Sequence, residues 1–460
     1  MATIDKPNSL AARDIASLLH PYTNLKEHEK TGPLVITGGD GVHVIDDQGK
    51  RYIEGLAGLW CASLGFSEKR LADAATAQMN RLPFYHLFGG KSHDRGIELA
   101  ERLLAMAPVP MARVFFANSG SEAVDTAIKL VWYVNNARGK PEKKKIIGRL
   151  KGYHGVTIAA ASLTALPNNQ RGFDLPLAGF LTTDCPHHYR YGEPGESEEQ
   201  FASRLAANLE ALILKEGPET IAAFIAEPVQ GAGGVIVPPA TYFEKIQSVL
   251  RRHDILLIAD EVITGFGRTG NMFGTETFML KPDMITMAKA LSGGCQPISA
   301  LMINQPLYDT IAAESARIGT FGHGFTYSAH PVPAAVALET LRIYEERDIL
   351  AHVRAMSPLM QDGLRRFADH PLVGEVRGIG LIAGIEVVAD KLSKCPFDPP
   401  GRVGAIVVRH AQAHGLIVRA LGDTIGICPP LIIQPDEIDA IIDRLSRALD
   451  DTAAELDRKT

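Results

Sequence analysis

The chain has 460 residues, 46% of them hydrophobic, enough for a large core and more than one domain. A formal net charge of −6 offers no basic footprint for nucleic acid, and no apolar run reaches the roughly 18 residues of a membrane span. The five cysteines (Cys61, Cys185, Cys295, Cys395 and Cys428) are scattered, without a CxxC pair, and the charged N-terminus lacks an apolar core; both features fit a cytoplasmic protein.

Residues 34–54 read as short strands, with turn signals at 38–41 and 46–49. From residue 61 onward, short apolar runs alternate with amphipathic stretches. The runs 114–117, 145–148, 222–226, 255–259, 284–288 and 298–303 predict strands, and 122–137 and 241–252 predict helices between them. That alternation implies an α/β fold, a mainly parallel sheet between helices. After His330 and Pro331 the pattern changes to helix (334–347), helix (355–370), strands (374–388), helix (401–414) and a terminal helix (435–456). A large domain is expected over 61–333. A smaller α+β domain is expected from 1–60 together with 334–460.

Several constellations fall at predicted strand ends. Asn118-Ser119-Gly120-Ser121-Glu122 opens a helix, where capping spacing, free amides and a small residue suit an anion as well as an ordinary cap. In Gly152-Tyr153-His154-Gly155 an aromatic between glycines has the shape to lie on a planar ring. Glu227 follows one strand directly, with Pro228 behind it. Asp260 ends the next strand, and Lys289 ends the one after, before Ser292, Gly293 and Gly294 break the chain. Ligands of open α/β sheets bind outside such strand ends. A Lys for a Schiff base and an acid for a pyridinium nitrogen are what pyridoxal phosphate requires. Gly324-Phe325-Thr326-Tyr327-Ser328 offers a further polar turn. Cys185-Pro186-His187-His188 lacks a second ligand pair at a recognised spacing, and no metal site is expected.

Taken together, NSGSEA (118–123), GYHG (152–155), EPVQGAGG (227–234), DEVITGFGRTG (260–270), MAKALSGG (287–294) and GFTYSAHP (324–331) resemble, in this order, the class III aminotransferases of the fold type I pyridoxal-phosphate family. The likeness spans nearly the whole chain and is nearest to omega-transaminases that use pyruvate. It implies that Lys289 forms the Schiff base and shuttles the substrate proton, and that Asp260 binds the pyridinium nitrogen. Tyr153 and Val262 would press on the two ring faces. Gly120 and Ser121 would hold the phosphate, joined by Thr326 of a neighbouring subunit in a homodimer with shared sites, possibly a tetramer. Ser119, His154 and Glu227 would complete the cofactor shell.

For the substrate, the resemblance implies aromatic pocket walls at Trp60 and Phe88 beside Tyr153, and a carboxylate grip at Arg419. The activity implied is transfer of an amino group from a primary amine or omega-amino acid to a keto acid, pyruvate giving alanine. An aminomutase, a decarboxylase, an acceptor preference for 2-oxoglutarate and a non-catalytic pyridoxal-binding role are the alternatives. Two departures stand out: Ala329 where many relatives have Gly, and Cys295 where a larger residue is common.

Overall fold

A computed structural model describes residues 8–458. Its centre is a seven-stranded sheet in the order Arg113–Ala117, Ser299–Ile303, Met284–Met287, Leu256–Asp260, Ile221–Ala226, Lys145–Arg149, Phe180–Thr183. Ser299–Ile303 runs antiparallel to both neighbours, and every other pairing is parallel. Parallel strands covered on both faces must be apolar throughout. Accordingly all six residues of Ile221–Ala226 and all four of Met284–Met287 are buried. The edge strand Phe180–Thr183 is not foreseen by pattern, because four residues with two threonines give no apolar run.

Helices flank the sheet. Gly120–Ala137 begins at Ser119, whose hydroxyl accepts the Glu122 N–H at 3.2 Å, and Glu122 reaches back to the Asn118 N–H at 2.7 Å. This reciprocal capping satisfies donors that the first helical turn leaves free. The predicted helix at 355–370 instead runs Ile349–Arg365, with Pro358 inside it and a 3-10 turn, Arg366–Asp369, after it.

Two smaller sheets accompany the central one. In the first, Ile36–Asp40, His43–Asp46 and Arg51–Glu54 form an antiparallel ladder, to which Leu416–Ile417 adds in parallel. The two ends of the chain thus meet, Leu416 opposite Ile53. Of the glycine cluster at 38–41, only Gly41 turns. Gly38 and Gly39 stay in the strand, where a Cβ on Gly39 would lie 2.5 Å from that of Phe66. The second sheet joins Val373–Ile379, Ile382–Val387, Thr424–Ile427 and Arg419–Leu421, all antiparallel. Ala329 takes a φ of +53° with its side chain buried, which explains why a glycine is the easier residue at this position.

Candidate active site

Three adjacent parallel strands each deliver one functional group at the same edge. Ile221–Ala226 is followed by Glu227, Leu256–Asp260 ends in Asp260, and Met284–Met287 leads through Ala288 to Lys289. Registers of Ala226 with Ala259 and of Asp260 with Thr286 bring the three strand ends level. There they line a cavity of about 430 Å³, together with Ser119, Gly120, Ser121, Tyr153, His154 and Val262.

Lys289 opens a single 3-10 turn, Lys289–Ser292, with its own φ at +49°. A lysine in the left-handed region is strained, a cost of about 1 kcal/mol or more that the buried surroundings hold in place. Enclosure of the amine pushes its pKa below the usual lysine range, against the opposing pull of Asp260, Cys61 and Glu227. A neutral amine is the form that attacks a carbonyl.

Asp260 is 3% exposed and held by three donors. Its Oδ2 takes the His154 Nδ1 proton at 2.7 Å, and its Oδ1 accepts the Val262 N–H at 3.1 Å and the Thr286 hydroxyl at 3.2 Å. With Asp260 ionised, His154 carries its proton on Nδ1, and its buried Nε2 has no partner. The His154 N–H is fixed in turn by the Thr164 hydroxyl at 2.8 Å. A carboxylate so tethered is held in a fixed direction.

Glu227 binds two backbone N–H groups at 2.9 Å each, Tyr153 through Oε1 and Gly231 through Oε2. Burial pushes its carboxyl up, with Asp260 adding to the rise and His154 opposing it. Arg149, at the end of the neighbouring strand, donates to the Glu227 carbonyl. Glu227 thereby sets the position of the Tyr153 backbone.

On the other side of the cavity, the glycine at 120 fits a tight space. A Cβ there would lie 3.1 Å from a Val262 methyl. The Ser121 hydroxyl accepts the Val156 N–H at 3.0 Å, which ties the 152–155 loop to the helix start. These features suit pyridoxal phosphate: an enclosed amine, an oriented carboxylate facing the same space, an aromatic wall and a helix N-terminus for the phosphate.

Four expected residues lie elsewhere. Trp60 is 2% exposed, packed with Leu56, Val229, Ile263 and Cys428 behind the cavity, and its neighbour Cys61 reaches the wall instead. Phe88 and Thr326 are exposed and away from the cavity of their own chain, Phe88 lying against Gly324. Arg419 sits beside Tyr153, its guanidinium 5.8 Å from the Tyr22 ring centre.

Tyr22 is the group that sequence pattern did not single out. It stands beside Tyr153, whose hydroxyl pKa is driven upward by burial first and by Tyr22 second. Its own hydroxyl accepts from Asn169 at 2.5 Å. Nothing in Pro21-Tyr22-Thr23 announces this role, since only the fold carries the N-terminal segment to the cavity mouth. Cys61 and the segment 294–298, Cys295 among it, also line the cavity.

The family model for class-III aminotransferases matches residues 25–449. A chloroplastic gamma aminobutyrate transaminase 3 of Solanum lycopersicum is 52% identical over 451 residues, covering 97% of this chain and 87% of that one. The omega transaminase of Pseudomonas jessenii in complex with PMP is 60% identical with a TM-score of 0.96, covering 97% and 98% of the two chains. The PMP-bound aminotransferase of Vibrio fluvialis is 43% identical with a TM-score of 0.95, covering 98% and 99%. The chain belongs to the class III aminotransferases, pyridoxal-phosphate enzymes of fold type I.

Proposed function

We propose that this enzyme moves an amino group from a primary amine or omega-amino acid to pyruvate, giving alanine, as a cytoplasmic homodimer with shared active sites. The observation that carries the reading is the meeting of the Lys289 amine and the Asp260 carboxylate at adjacent strand ends in one cavity. When bound, pyridoxal phosphate supplies an electron sink for a substrate that has lost its α-proton. Lys289 Nζ would hold the cofactor and would carry the substrate proton, burial lowering its pKa toward the neutral amine that can accept it. Asp260, steered by His154 and Thr286, keeps the pyridinium nitrogen protonated. Gly120 and Ser121 hold the phosphate, with Ser119 capping their helix. Tyr153 and Val262, both lining the cavity, would bound the two faces of the cofactor ring, and Glu227 fixes the Tyr153 backbone.

Arg419 supports a keto-acid acceptor. Among the described residues no carboxylate pairs with it, so its fork is open to a substrate carboxylate beside Tyr153. The homodimer is supported by the exposed aromatics Phe84, Tyr85, Phe88 and Tyr327, of which Phe84 packs on Tyr327 beside Thr326 and Phe88 lies against Gly324, none of them lining the chain's own cavity. In the dimer this face supplies Thr326 and Phe88 to the partner's site. The site-bearing unit is 61–333, and 1–60 with 334–460 forms the smaller one that brings Arg419 and Tyr22.

Because the similar tomato proteins are gamma aminobutyrate transaminases, 4-aminobutyrate is among the donors to be tried. Amine alone should release one carbonyl product per active site, which an aminomutase would not do. Adding pyruvate should then form alanine with a higher kcat/KM than 2-oxoglutarate gives. A clear preference for 2-oxoglutarate would sink the pyruvate assignment while leaving the transaminase intact.

A further inference from the structure

Two short helices, Leu10–Ser17 and Leu25–Thr31, precede the first strand, and the loop between them carries Tyr22. Three side chains close this hairpin on itself. His20 Nε2 lies 2.8 Å from Asp14 Oδ1 and 2.9 Å from its Oδ2, and His28 Nε2 lies 3.0 Å from the same Oδ1. The two imidazoles face each other, ring centres 4.2 Å apart at 40°. The side chains are 15% (Asp14), 26% (His20) and 10% (His28) exposed, so the group is shielded without being sealed.

We propose that Asp14, His20 and His28 form a binding site for a zinc-type divalent cation, which fastens the loop bearing Tyr22. Two imidazole nitrogens and one carboxylate oxygen are a ligand set for such ions. The three donor atoms lie within 4.8 Å of one another. Tetrahedral ligands at about 2.0–2.1 Å from zinc stand roughly 3.3 Å apart, so each imidazole nitrogen, now 2.8 and 3.0 Å from Asp14 Oδ1, needs to move only a few tenths of an ångström from that oxygen. The fourth position is left to water, because the cluster is open on one side.

A second cluster, His187 with Glu375 and Glu386, shows what disqualifies a site. There Arg377 pairs with both carboxylates and Arg190 with one, so cationic groups already occupy the place of an ion. Asp14 pairs with no arginine or lysine among the described residues, only with the two histidines. The consequence for the enzyme is positional. Tyr22 lies two residues after His20 and stands beside both Tyr153 and Arg419, so an ion holding His20 and His28 to Asp14 fixes one wall of the pocket mouth. The binding claim itself does not rest on the pyruvate reading.

The test uses the cofactor-loaded enzyme, stripped with a chelator and titrated with Co²⁺ alone. Visible d–d absorption should saturate at one equivalent per chain, and Zn²⁺ should bleach it. Affinity should fall by roughly a hundredfold or more in His20→Ala and His28→Ala, and fall also in Asp14→Asn, while His187→Ala binds as wild type does. An unchanged cofactor absorption band in each variant shows that the fold is retained. Absence of saturable binding in the wild type, or undiminished binding in His28→Ala, overturns the site and leaves a plain His–Asp–His ion pair. Zn²⁺ should also slow proteolysis at Leu18 and Leu19, which are 61% and 83% exposed. Binding without that protection overturns the fastening role.

Discussion

The floor and the mouth of this active site are built on opposite terms. On the floor, Glu227, Asp260 and Lys289 project from three neighbouring strands, are enclosed, and are oriented by backbone amides, His154 and Thr286. At the mouth, Tyr22 is exposed and Arg419 comes from a separate sheet, while Phe88 and Thr326 stand exposed outside the chain's own cavity. The difference follows from the two tasks. A shifted amine and a fixed carboxylate need low dielectric and rigid strand ends. Admitting different amines and keto acids needs side chains that substrate can displace, and these sit on turns and chain ends.

The sharpest way to break this contrast is to cut the floor. Lys289→Ala should lower turnover by several orders of magnitude while circular dichroism stays native, because the variant loses the group proposed as both cofactor tether and proton carrier. Turnover near the wild-type rate would move the chemistry off the floor.

A second experiment separates burial from chemistry. Glu54 lies under the strained turn that carries Trp60 and Cys61, and it accepts the Leu56 N–H at 3.0 Å. Burial pushes its carboxyl up to about 7 from an ordinary 4.5. The folded state therefore binds this proton more tightly than the unfolded chain does. Its contribution is whole below about 4.5 and is lost as pH rises through about 7. Denaturant unfolding at pH 5 and pH 8 should show wild type losing about 3 kcal/mol more than Glu54→Gln across that span. Parallel profiles would remove Glu54 from the account.

The smallest expected effect belongs to the mouth. Arg419→Ala should raise KM for pyruvate roughly tenfold, the loss of one charge-assisted contact, and leave KM for an arylalkyl amine nearly unchanged. Equal shifts for both substrates would exclude the carboxylate grip and erase the distinction drawn here.

Legibility in sequence divides along the same line. The floor could be read because each group follows a short apolar run: Glu227 after the strand ending at Ala226, Asp260 at its own strand's end, Lys289 just past Met287. Strand ends on one edge of a parallel sheet must converge, so sequence order alone implied a shared site. The mouth was legible only through family resemblance, and Tyr22 not even then. The edge strand Phe180–Thr183 was invisible for a local reason, being too short and too polar to make a period.

By itself, then, the sequence determined the alternating elements, the identity of the groups at three strand ends and the glycine at 120. Each of these depends on contacts near in the chain or on a repeating pattern. Only the tertiary structure decided that His154 would clamp Asp260 across 106 positions, that Leu416 would pair with Ile53, and that Tyr22 would reach Tyr153. Those contacts come from how layers pack, and packing between distant segments leaves no periodic trace in the order of residues.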